Sequence, residues 1–103
     1  MTLLSTGKEW DTFLYTPKQW KIIAEIRDSI DFFMFHETKS KRLRKKVSQA
    51  FSYWVHLTPA VVKSFLKNPN KMGDEFFYDL LRRPESANLT PKEFEELKFI
   101  IKG

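Results

Sequence analysis

Cysteine is absent from the 103 residues, which excludes disulfides and any thiolate metal site. Glycine occurs three times and proline five, too few for the many turns of an all-β chain, so helices are expected. No window approaches the ~20 apolar residues of a membrane span. Residues 1–8 have neither the basic segment nor the apolar run of a signal peptide, so a soluble, cytoplasmic protein is expected. Acid is the most informative shortage. Residues 38–73 hold nine Lys or Arg and one His but no Asp or Glu. The flanking segments, 1–37 and 74–103, each sum to −2, so the whole net charge of +5 comes from the middle. A one-signed block of this size marks a surface that meets an anion.

What is present is globular. The chain is 42% hydrophobic and 16% aromatic with ten Phe, and its length suits one domain spanning residues 1–103. Near the start, Thr6 and Glu9 have capping-box spacing ahead of Trp10, Phe13 and Leu14, which fits a short helix, with a strand over 12–15 as the alternative. Thr16-Pro17 opens the first strong helix, with Gln19 placed to close a capping box. Its apolar residues Ile22, Ile26, Ile30 and Phe33 recur at helical spacing, widened by Ile23 and Ala24. The helix ends on four consecutive large apolar residues, Phe32, Phe33, Met34 and Phe35. One face cannot bury all four, so this end is expected either deep in the core or at a homodimer contact.

After a break at 38–40, with Ser40 as cap, a second helix is predicted over 41–55. Leu43, Val47, Phe51 and Trp54 form its buried stripe, with Ala50 beside it. A corner at 56–58 leads to a third helix over 59–67, with Val62, Phe65 and Leu66 inward. Asn68-Pro69-Asn70 reads as its stop and 72–73 as loop, with Asp74 capping a fourth helix over 75–82. Its inward residues are Phe76, Phe77, Leu80 and Leu81. Residues 84–89 read as loop. Thr90, Pro91 and Glu93 then open a last helix whose apolar face is Phe94, Leu97, Ile100 and Ile101. The expected fold is all-α, a compact bundle of about five helices.

The pair of helices across 46–67 carries a recognisable pattern. Two short helices crossing at a tight corner need apolar residues at fixed points and a small residue where they approach. Phe51, Val55, Leu57, Val62 and Phe65 supply the first and Ser52 the second. The stretch resembles the helix-turn-helix module of bacterial repressors, although His56 stands where that family favours a left-handed Gly. The resemblance implies that the third helix enters the major groove of double-stranded DNA. Thr58, Ala60, Val61, Lys63, Ser64 and Lys67 would face base edges. Lys39, Lys41, Arg42, Arg44, Lys45 and Lys46 would lie along phosphates, giving a regulator or accessory factor centred on residues 39–73.

Two other readings stand beside it. The basic face would equally dock an acidic protein partner, as an inhibitor or adaptor does. Tyr53 and Trp54 near the cations would suit RNA or single strands, although Trp54 falls on the buried stripe. Catalysis has little support. His36 and His56 are the only histidines, neither lies in a His-Glu-x-x-His pattern, and there is no nucleophile motif or glycine-rich phosphate loop. No catalytic residue, metal or cofactor is expected.

Overall fold

The computed structural model describes residues 14–102, and within them there are five α-helices, one 3-10 turn and no strand. The expected all-α bundle is what forms. The helices are α1 (Pro17–Glu37), α2 (Lys41–Leu57), α3 (Pro59–Phe65), α4 (Pro69–Arg82) and α5 (Pro91–Lys102). The 3-10 turn is Pro84–Ala87. The expected capping box at Thr6 and Glu9, with Trp10 and Phe13, lies outside the described residues.

The starts of the helices follow from their caps. The Gln19 N–H donates to the Thr16 hydroxyl (3.1 Å) and the Thr16 N–H to Gln19 Oε1 (2.8 Å), which satisfies two otherwise unpaired donors of α1. The same exchange joins Thr90 and Glu93 at the start of α5, at 2.9 and 3.2 Å. Ser40 caps α2 by accepting from the Leu43 N–H (3.1 Å).

α2 is the central helix, packing against α1, α3, α4 and the 3-10 turn. The predicted stripe is its buried face, with Leu43, Val47, Ala50, Phe51, Trp54 and Val55 all inside. Phe51, Trp54 and Phe76 of α4 meet edge-on or tilted, with centroids 5.1 to 5.9 Å apart. Such pairs add roughly 0.5–1.5 kcal/mol each beyond their burial. The Tyr15 hydroxyl is buried and donates to the Val55 carbonyl (2.7 Å), tying the start of the described chain to the end of α2. Burial pushes that phenol up to about 12.

Three boundaries differ from expectation. α2 continues through His56 to Leu57, so the corner shrinks to Thr58 alone. α3 stops at Phe65, two residues early. α4 begins at Pro69 rather than at residue 75, so Met72 is fully buried instead of in a loop and Asp74 is helix interior instead of a cap. The reason is the chemistry seen at Pro17: Pro69 sits at the first helical position, where its missing N–H costs nothing. A motif read as a stop is therefore also a start. Residues 84–89 hold the 3-10 turn and the left-handed Asn88 (φ 54°). In α1 the deepest residues are Ile23, Ile30 and Met34, while Ile22 and Ile26 are half-buried at the edge.

Candidate nucleic-acid interface

Burial of six apolar residues sets the rotation of α2, and that rotation points the remaining stripe at solvent. Lys41, Arg42, Lys45, Gln49, Tyr53, His56 and Leu57 are exposed along it, and Lys39 is exposed just ahead. Arg44 is half-buried, its guanidinium 5.0 Å from the centre of the Phe35 ring. None of these residues is acidic, and the first turn of α2 has no acid to balance the positive end of its dipole.

Lys46 differs from its neighbours. Its ammonium reaches Glu93 Oε1 (2.6 Å) and donates to the Asn88 carbonyl (2.7 Å), with 17% of the side chain exposed. The Glu93 oxygen that Lys46 meets is the one closing the α5 capping box. The Lys46 hydrogen bond, helped by the Thr90 N–H, holds the Glu93 carboxyl below its ordinary 4.5. Beside it, the buried Thr38 hydroxyl donates to Glu96. Glu93 of α5 thus clamps the N-terminal half of α2 and Glu96 the turn ahead of it, and the expected phosphate set loses Lys46 to an internal role. The expectation missed this because the acid lies 47 residues away in sequence.

The helix-turn-helix-like pair is present as α2 and α3, joined at Thr58 (φ −130°, ψ 56°). Phe51, Val55 and Val62 are buried and Phe65 half-buried, as the pattern requires. Two points depart from it. Leu57, expected inward, is 76% exposed. His56 is helical, and Asn88 is the only described non-glycine residue with positive φ, so the left-handed corner of the repressor module is not formed at 56. A helix running to 57 carries the Leu57 side chain out over the surface.

Of the expected base-edge residues, Ala60, Val61, Lys63, Ser64 and Lys67 are exposed and Thr58 is half-buried. The Thr58 hydroxyl donates to the Trp54 carbonyl and the Ser64 hydroxyl to the Val61 carbonyl, both at 2.6 Å. The Lys63 ammonium lies 5.6 Å from the Tyr15 ring. α3 is seven residues long, about two turns.

Met34, expected with Phe32, Phe33 and Phe35 as one surface, is buried, so the core claims one of the four. Phe32 and Phe35 are each 66% exposed, whereas Phe33 turns aside to Phe77, with centroids 5.9 Å apart.

Two grooves flank α2. One, of about 330 Å³, lies between α1 and α2 and is lined by Trp20, Ala24, Arg27, Ser52 and His56. The other, of about 560 Å³, lies between α2 and α4 under Tyr53 and Leu57, with Trp54, Phe76 and Leu80 in its walls. The Trp54 Nε1–H there donates to Asp79 (3.0 Å). Burial would raise the Asp79 carboxyl, but the Arg82 and Trp54 hydrogen bonds outweigh it and hold the group below its ordinary value. Among the described residues no three of His, Cys, Asp and Glu gather as metal ligands. No helix among them is long and apolar enough to cross a membrane. No protein-family model, curated protein or solved structure matches this chain.

Proposed function

We propose that this protein is a non-enzymatic, double-stranded-DNA-binding protein, a regulator or accessory factor that grips phosphates with α2 and its N-terminal flank. One observation carries the reading. Lys39, Lys41, Arg42 and Lys45 are exposed beside Arg44, with no acid on α2 or its flank, while the sixth cation, Lys46, is internally paired. Five cations in seven residues repel one another, and an external polyanion relieves that repulsion. Neutralising about five phosphates gives a log–log salt slope of roughly −4 to −5. Sequence reading falls to Ala60, Val61, Lys63, Ser64 and Lys67 of the α3 segment, where the Lys63 ammonium supplies a donor for base edges and the Ser64 hydroxyl, which donates to the Val61 carbonyl, an acceptor. A homodimer would present two such faces to one duplex.

The protein-docking alternative also has an observation of its own. Exposed Tyr53 and Leu57 border the apolar groove between α2 and α4, which suits an acidic peptide with one large apolar anchor. Fluorescence anisotropy with random 20-base-pair duplex, single-stranded DNA and RNA, each at two salt concentrations, separates the readings. Micromolar duplex binding with the steep slope is the expected result. Preference for a single strand moves the reading to unpaired bases. No binding at low salt overturns it and leaves the acidic partner.

A further inference from the structure

The last turns of α2 carry an apolar edge that faces solvent among cations. Tyr53 is 62% exposed and Leu57, one turn on, 76%. Residues four apart lie on one side of a helix, so the two side chains form a single edge. It stands at the corner where α2 ends, because the helix runs on to Leu57 and the chain then turns at Thr58 alone.

Cations lie on both sides of this edge. Lys45 precedes Leu57 by twelve residues of helix, about 18 Å, with Arg42 and Lys41 beyond it. Lys63 and Lys67 are exposed after the corner. No acid occurs between residues 38 and 73. Among the described residues, the one acid lining the groove beneath the edge is Asp79, which Trp54 and Arg82 already hold. An acidic peptide seated in that groove meets a wall of mixed sign, Asp79 with Arg83, whereas the edge above it has cations of one sign at both ends.

A bent duplex fits an apolar edge set between two groups of cations. A side chain that parts a base step replaces lost base stacking with its own apolar contact, and the kink brings the duplex on either side toward the protein. Leu57 has the compact apolar tip that enters a step, and Tyr53 a ring on which the parted base stacks.

We propose that this protein kinks the duplex it binds, with Leu57 as the wedge and Tyr53 as the stacking ring. The contacts of the α2 cations on one side, and of Lys63 and Lys67 on the other, hold the bend. The inference rests on the nucleic-acid reading above and adds an activity to it. It also makes affinity depend on how readily the central step opens. Pyrimidine–purine steps such as TA unstack most easily and a mismatched pair is already partly open, so both are preferred.

The test uses the full chain and two 20-base-pair duplexes that differ only in one mismatched pair at the centre. Affinity is read by anisotropy, and bending by energy transfer between dyes on the duplex ends. The wild type shortens the end-to-end distance as a bend of roughly 20–90° requires. It binds the mismatched duplex about 10-fold tighter, because part of the unstacking is already done. Tyr53→Ser with Leu57→Ser abolishes the shortening and the preference, while the salt slope keeps its wild-type value because no cation changes. Both side chains are exposed, so the helical circular dichroism of the double variant is unchanged. Leu57→Phe, which keeps an apolar tip, keeps the bend. A wild-type complex with the steep salt slope but a straight duplex overturns the wedge and leaves the nucleic-acid reading standing. Bending retained in the double Ser variant overturns it as well. Absence of duplex binding removes both the wedge and that reading. A straight duplex, together with a Glu-rich peptide carrying one Trp that binds the wild type and not the double Ser variant, overturns the wedge and assigns the edge to a protein partner.

Discussion

α4 and α5 mix signs on their outward faces, whereas α2 displays one. On α4, Arg82 closes on Asp79 (2.6 Å); on α5, Lys98 reaches Glu95 (3.4 Å). Neighbours three apart on a helix lie close enough to pair, so a mixed face satisfies itself. α2 has no such option. Among the described residues only Lys46 of its five cations finds a carboxylate, and it must take it from α5. The same local helix physics therefore yields two kinds of surface. Mixed faces pair within themselves, and the α2 face is left with cations that no carboxylate among the described residues meets.

Three sets of variants would break or sharpen this contrast. The largest effect is expected from Lys41→Glu with Arg42→Glu and Lys45→Glu, which gives α2 the mixed face of its neighbours. Duplex affinity should fall at least 100-fold, with the salt slope moving from roughly −4 to −5 toward zero. Thermal stability should hold or rise, because acids in a first turn suit the helix dipole. Anisotropy and thermal unfolding on one preparation check both halves. A stable variant that still binds duplex would mean that the α2 face is not the site.

Next comes the one cation already satisfied. Lys46→Met should cost about 1–2 kcal/mol, since the pair is largely buried and joins two helices, yet change duplex affinity less than twofold. Its pH signature is distinct. The Glu93 carboxyl is held below its ordinary 4.5 in the folded state, so its contribution is present above 4.5 and lost as pH falls through the lower folded value. Asp79 acts with the same sign. Wild-type melting temperature should be level from pH 7 to about 5 and drop below that, and the drop should be shallower in Lys46→Met. An equal drop in both proteins would show that the clamp does not govern acid stability.

The smallest effects compare backbone positions in α2 and α4. Gly73 is helix interior in α4, and a Cβ built there meets nothing within 4 Å. Gly73→Ala should stabilise by roughly 0.5–1 kcal/mol. His56→Gly, at a helical position of α2, should destabilise by a similar amount. A left-handed corner at 56 would reverse that second sign, so denaturant midpoints of the two variants distinguish a helical 56 from the corner of the repressor module.

Most of the fold was legible because caps and apolar spacing are local. Thr16, Ser40 and Thr90 announced three helices, and the Leu43, Val47, Phe51, Trp54 spacing placed the α2 stripe correctly. Local reading failed where one residue has two uses. Pro69, read as a stop, starts α4, and Gly73, read as loop, lies inside the helix that Pro69 begins. At the candidate site the same divide holds. That Lys39 to Lys45 form a one-signed run is a fact of order along the chain. That Lys46 drops out of it depends on Glu93, 47 residues on.

The sequence by itself determined helix class, caps, the buried face of α2 and the sign of its outer face. Backbone hydrogen bonding and hydrophobic period act over three or four residues and need no distant partner. Only the tertiary structure decided which cation is spent internally, which of Phe32, Phe33, Met34 and Phe35 the core takes, and that the α2–α3 corner is a single residue. Those outcomes depend on which surfaces meet, and each surface is assembled from residues far apart in the chain.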